Sequence, residues 1–338
     1  MVPDLQAFAA RNEDVRLLCE QIQSDQLVHA YLISGEPGYG KRTLAGLIAA
    51  ALLCSSEGGR PCGQCKNCRM ALRLEHPDLT VIRKGVPITP DGKKDRATIP
   101  VDDIREMIRI CGEGTLMGNV RAVLVFDAEK MTIQAQNCLL KTLEEPPERT
   151  YIFLVTDHPD ALLTTVISRC RPIRLRAWED EYIVDVLKDL EIAPERAAEA
   201  VQCASGSIGK AISISSDESY WTVRKEVMNA FFESKARSDI LRNSNAWKDR
   251  RDDGGRILDI LESLLHMLIR VRMGQASDVI LACFPDNWRK FARHADYERI
   301  SALSESIAEA RKQLTYSVNF QAVIEQIMFV FAGEGNLW

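Results

Sequence analysis

Two short stretches carry side chains whose types and spacing can do chemistry. Cys54, Cys62, Cys65 and Cys68 stand at C-x7-C-x2-C-x2-C intervals, with Pro61 and Gly63 bending the chain between them. Thiolates on neighbouring turns at such steps can converge on one tetrahedral ion at about 2.3 Å, and zinc is the natural occupant. Four protein sulfurs leave no open coordination position, so the expected role is to staple a loop rather than to activate water. The competing readings are a chance cluster among the ten cysteines of the chain, or a disulfide pair. Met1 to Arg11 lacks the basic region and apolar run of an export signal, which points to a reducing, cytoplasmic setting.

Upstream, Gly35-Glu36-Pro37-Gly38-Tyr39-Gly40-Lys41-Arg42-Thr43 follows the phosphate-binding pattern G-x4-G-K-[ST] up to its last position. There Arg42 replaces the hydroxyl residue that normally holds magnesium, and Thr43, about 100° further around a helix, does not substitute for it. Loop N–H groups and Lys41 can still meet a phosphate, but magnesium-assisted hydrolysis loses a ligand. A second loss lies at the end of Val120 to Asp127. Asp127 is placed like a magnesium-associated acid, yet Ala128 occupies the position that usually carries the water-polarising glutamate. Glu129 comes next, and strand alternation is expected to turn it away. Both losses favour a nucleotide fold kept for structure.

Elements that must position these residues are legible in the apolar pattern. Val28 to Ser34 reads as a strand, Gly35 to Gly40 as a loop and Lys41 to Leu53 as a helix. Further strands are predicted at Leu79 to Arg83, Val120 to Phe126, Tyr151 to Thr156 and Pro172 to Leu175. Helices over Val101 to Cys111 and Gln134 to Glu145 separate them, the second halted by Pro146 and Pro147. The alternation implies a parallel sheet covered on both faces. Gly85 to Thr98 reads as a surface loop. From Trp178 onward the pattern is helical, with Ser215, Ser216 and Asp217 as hinge and cap. The expected organisation is an α/β domain over 1–176 containing the cysteine module 54–68, a small helical lid over 177–214 and an all-α domain over 215–338.

Composition narrows the function classes. At 338 residues and 46% hydrophobic content the chain buries a substantial core, and no apolar run has the length of a membrane span. With 43 Lys and Arg against 48 Asp and Glu, the net charge of −5 offers no global attraction to nucleic acid. A zinc-dependent DNA-binding module therefore rests only on Lys66 and Arg69 beside the cysteines.

The passages HAYLISGEPGYGK, PCGQCKNC, HPDL, VLVFDAEKM, NCLLKTLEEPP and ISRC occur in the order found in bacterial clamp-loader subunits of DNA polymerase III. The chain resembles that family over Leu17 to Leu175, again over GSIGKAI at Gly206 to Ile212, and more thinly at Asn319 to Phe329, which resembles the last collar helix. The resemblance implies an AAA+ P-loop NTPase-like sheet domain, a lid and a helical collar, assembled with gamma/tau motor subunits and the delta subunit into a ring that loads the sliding clamp on primed DNA. It also implies that the arginine of Ser168-Arg169-Cys170, on residue type alone a surface arginine, reaches a neighbour's γ-phosphate as a finger. Thr156 falls at the position of a γ-phosphate sensor, and Gly209 where motor subunits carry a nucleotide-sensing arginine; Lys210 lies beside it. On that reading the chain is a non-catalytic stator of the polymerase holoenzyme; the alternative is an ATP-hydrolysing motor of the same complex. His29 reads as a packed or capping histidine and His76 as superfluous to a four-cysteine site. Cys19, Cys111, Cys138, Cys170, Cys203 and Cys283 read as isolated thiols, and Trp221, Trp247, Trp288 and Trp338 as packing residues.

Overall fold

The computed structural model describes residues 3–56, 58–88, 97–233, 237–245, 247–248, 250–274, 286–314, 316 and 318–332. Most of the expected loop Gly85 to Thr98, as well as Cys283 and Trp338, lies outside the described residues. The chain divides into two compact units, Met1–Trp178 with Ser207–Gly209, and Glu179–Gly206 with Lys210–Trp338.

The first unit is built on a five-stranded sheet in which every pairing is parallel, in the order β2-β3-β4-β1-β5. Its strands are β1 (Ala30–Ser34), β2 (Leu79–Ile82), β3 (Arg121–Val125), β4 (Thr150–Thr156) and β5 (Arg171–Arg174). Each predicted strand is present, with its ends displaced by a residue or two, because apolar patterning runs on slightly past the paired backbone. The central strands β1 and β3 are buried at every position, as sheets covered on both faces require. One core packs Leu32, Val123, Val125, Ile152 and Leu154 against Ile104, Met107, Ala135 and Leu139 from α5 (Val101–Cys111) and α6 (Ile133–Glu144). Elsewhere on the sheet the rings of Tyr31 and Phe153, direct cross-strand partners, stack at 5.4 Å.

Two helices before the sheet, α1 (Leu5–Arg11) and α2 (Glu13–Gln23), were not anticipated from the apolar pattern, though their caps are readable. Asp4 accepts from the Ala7 N–H at 2.8 Å, and Asn12 accepts from Asp14 and Val15. Asn12 also donates to the Arg174 carbonyl at 2.8 Å, tying this pair to β5. Other α-helices among the described residues of this unit include α3 (Lys41–Leu52), α4 (Lys66–Leu72) and the single turn α7 (Thr164–Ile167).

The second unit is helical throughout its described residues. Its longest helix, Gly254–Arg272, buries Ile257, Leu261, Leu264 and Leu268, which recur at the three- and four-residue steps of one apolar face. Asp217 caps the helix Glu218–Glu233 by accepting from the Ser219 and Tyr220 N–H groups. Trp247 and Trp288 are buried. No helix among the described residues is long and apolar enough to cross a membrane.

Candidate functional site at the carboxyl edge of the sheet

The strand order puts β1 beside β4 and β4 beside β3, so the segments leaving their carboxyl ends meet over one edge. In open parallel sheets that edge is where ligands are held. The phosphate loop leaves β1, Thr156 ends β4, and Asp127 follows β3. Three glycines permit the loop's path: Gly38 has φ 79°, Gly35 has φ 149°, with Leu175 O 2.9 Å from where a Cβ would sit, and Gly40 has φ 91°, with the Phe8 ring 2.8 Å from such an atom.

The polar groups of this edge are satisfied by one another. Lys41 is only 6% exposed and donates to the carbonyls of Gly35 at 2.6 Å and Glu36 at 2.7 Å, while pairing with Asp157 at 2.6 Å. Ser207 Oγ donates to Pro37 O, the Gly209 N–H to Gly38 O and Trp178 Nε1 to Tyr39 O, each at 3.0 Å. The Leu44 N–H takes Gly40 O at 2.8 Å, so every loop carbonyl from Gly35 to Gly40 has a donor. Gly209 is also sterically constrained. A Cβ there would lie 2.9 Å from Gly38 Cα, so no larger residue enters without displacing the loop backbone.

Arg42 does more than omit a hydroxyl. Its Nη2 pairs with Asp127 Oδ1 at 2.7 Å, and its guanidinium lies 5.5 Å from the centre of the Phe126 ring. The cation that replaces the metal-binding residue thus binds the acid expected to face the metal. Thr43 is one position along α3.

One expectation is corrected. Glu129 does not turn away: its Oε2 accepts from the Thr156 hydroxyl at 2.8 Å. Strand alternation stops at Val125; Asp127 adopts a left-handed conformation with φ 53° and Ala128–Lys130 forms a 3-10 turn, which swings Glu129 toward the end of β4. Asp157 and Ser207 belong to this edge although spacing alone does not single them out, and Glu129 belongs to it against the strand alternation. The signal for Asp157 was its place one residue beyond a buried strand whose neighbour carries the loop.

At the other end of α3, the four cysteine sulfurs lie within 4.8 Å of one another. Cys54 and Cys65 are 4.0 Å apart, Cys62 and Cys68 3.9 Å. A sulfur tetrahedron with centre-to-corner distances of about 2.3 Å has edges of about 3.8 Å, so these residues fit zinc. Cys54 follows the end of α3, Gly63 takes φ 69° between the ligands, and Cys65 caps α4 by accepting from the Cys68 N–H at 3.3 Å. Burial opposes ionisation of Cys65, but hydrogen bonds from the Cys68 and Ser55 N–H groups outweigh it and bring the thiol down to about 5. Burial pushes the Cys68 thiol up instead. His76 stays outside the cluster; it is buried, and its Nδ1 accepts from the Asp78 N–H at 3.0 Å. His29 is likewise structural, its Nε2 2.7 Å from Leu143 O.

Arg169 sits away from both groups, between α7 and β5. It is 34% exposed; its Nε donates to Glu144 at 2.7 Å, its Nη2 bonds the same carboxylate oxygen, and its Nη1 donates to Thr165 O at 2.9 Å. Among the isolated cysteines, Cys111, Cys170 and Cys203 are buried, whereas Cys19 and Cys138 are half-buried.

Residues 10–179 match the family described as DNA polymerase III, delta subunit, and residues 218–332 match its C-terminal counterpart. The DNA polymerase III subunit delta' of Bacillus subtilis is 25% identical over 324 residues, covering 94% of each chain. That of Escherichia coli is 29% identical over 303 residues, covering 89% of this chain and 87% of the relative. The DNA polymerase III subunit tau of Escherichia coli is 32% identical over 205 residues, but covers 58% of this chain and 30% of its own length.

Proposed function

Because the chain belongs to the DNA polymerase III delta subunit family, we propose that it serves as the delta'-type, non-motor subunit of a clamp loader. In this role it joins gamma/tau-type motor subunits and a delta subunit in an AAA+ ring, through its helical second unit as collar. It supports their ATP-driven loading of the sliding clamp on primed DNA in the cytoplasm, and offers Arg169 to a neighbour's ATP. The observation that carries the non-motor part is the ion pair between Arg42 and Asp127. Magnesium would have to break a charge-assisted hydrogen bond to reach the acid, and would then find no hydroxyl on the opposite side.

Zinc at Cys54, Cys62, Cys65 and Cys68 would hold the segment between α3 and α4 as a structural clip, its chemistry confined to binding four thiolates. The residues that remain around the phosphate loop act on the fold: Lys41 donates to loop carbonyls and neutralises Asp157, and Ser207 and Gly209 fasten the crest of the loop.

A second reading, an ATP-hydrolysing motor, is favoured by one observation, the carboxylate of Glu129 beside Thr156. Steady-state ATP hydrolysis by the purified chain separates the two. The non-motor reading expects no turnover above background; turnover abolished by Lys41→Ala would refute it. In the reconstituted complex, Arg169→Ala should leave assembly intact and depress ATP turnover.

A further inference from the structure

We infer that Glu144 is a positioning residue for Arg169, presetting the guanidinium in the orientation in which it meets a phosphate on the neighbouring subunit; this rests on the arginine-finger reading above. A guanidinium carries five N–H donors in one plane. Glu144 Oε1 takes Nε–H and one N–H of Nη2, and Thr165 O takes one N–H of Nη1 at 2.9 Å. Ser168 Oγ lies at the long distance of 3.5 Å from Nη1. Among the described residues one N–H of Nη2 stays unclaimed and the contact to Ser168 is easily exchanged, so the terminal edge of the group is left to a ligand. An arginine side chain unsupported on the surface samples many rotamers; two bonds to one carboxylate oxygen and a third to a backbone carbonyl remove most of that freedom before the neighbour arrives.

The placement of Glu144 points the same way. It is the last residue of α6, at the end of a helix whose exposed carbonyls disfavour a carboxylate. Pro146 and Pro147 follow, so the chain cannot carry the carboxylate further along the helix. Glu144 is half exposed and Arg169 a third exposed, so the pair is solvated and adds little to stability. What such a pair provides is direction.

The test uses the complex reconstituted from this chain with gamma/tau-type and delta subunits, sliding clamp and primed DNA, with Arg169→Ala as the reference. Glu144→Ala should remove roughly half or more of the kcat for ATP that Arg169→Ala removes, with KM for ATP moving less than about twofold. Glu144→Gln, which keeps one acceptor oxygen, should fall between Glu144→Ala and the unmodified chain. In the isolated chain, hydrogen exchange at the Arg169 Nε–H should be slow, and should accelerate in Glu144→Ala while the melting temperature holds. Wild-type or raised kcat in Glu144→Ala, alongside a loss in Arg169→Ala, would overturn the positioning role and leave the finger standing. A change in KM alone, or unaltered exchange at Nε, would also overturn it. If Arg169→Ala itself leaves turnover unchanged, the finger assignment fails first.

Discussion

Helix α3 joins two regions that treat their reactive groups in opposite ways. At its amino end, Lys41, Arg42, Asp127 and Asp157 are paired with one another, and each loop carbonyl has a donor from the chain itself. Beyond its carboxyl end, the cysteine sulfurs meet one another and backbone N–H donors, with Cys68 Sγ also donating to Ala50 O at the long distance of 3.5 Å, and their mutual separations match a shared ion. The difference teaches what each region needs from outside. A charge paired internally needs nothing, and a ligand must compete for it; a set of converging thiols is incomplete by itself, because all four can ionise together only around a cation that offsets their mutual repulsion.

The largest effect that can break this comparison is on the cysteine side. The purified chain should carry about one zinc, and Cys65→Ser or chelation should release it. Either should lower the melting temperature by roughly 10 °C, since about 1 kcal/mol moves a unit of this size by about 2–4 °C. A chelated chain with an unmoved transition would show that the cluster needs no ion. Next is Lys41→Ala. In a working phosphate loop this change mainly costs nucleotide, whereas here it strips a buried cation from two carbonyls and Asp157, with an expected destabilisation of about 1–3 kcal/mol in urea melts without nucleotide. Unchanged stability would mean that the internal partners of Lys41 are incidental.

Gly209→Ala places a methyl against Gly38 and should cost about 1–3 kcal/mol, read in the same melts, through displacement of the loop crest. The smallest change sharpens the comparison instead. Arg42→Thr restores the hydroxyl and frees Asp127; the arginine is largely exposed while Asp127 keeps some contact with water, so stability should move by about 1 kcal/mol or less. Magnesium-dependent binding of a fluorescent ATP analogue should strengthen relative to the unmodified chain. If it does not, Arg42 is not what keeps the metal away.

Legibility in the sequence followed the range of the interactions. The strands around the phosphate loop, the helix after it and the cysteine cluster were readable because they depend on periodicity and on spacings of a few residues. α1 and α2 leave a weak periodic signal because their apolar stripes are short, although Asp4 and Asn12 announce both caps. Glu129 departs from strand alternation because the strand ends at Val125 and a turn begins at Asp127 with φ 53°. Glu144 and Arg169 both lie within family motifs, NCLLKTLEEPP and ISRC, yet their pairing spans 25 positions, and no local pattern reveals it.

By itself the sequence determined which chemistry was on offer: a glycine loop with lysine but without its hydroxyl, four thiols at ligand spacing, and an arginine before the last strand. Those are properties of residue type and short spacing, which any fold must inherit. Only the tertiary structure decided which groups cancel and which remain open. The parallel order β3-β4-β1 brings Asp127, Asp157 and Lys41 to one edge from segments far apart in the chain. At distances of 2.6–2.7 Å, with Lys41 buried, opposite charges neutralise one another before any ligand arrives.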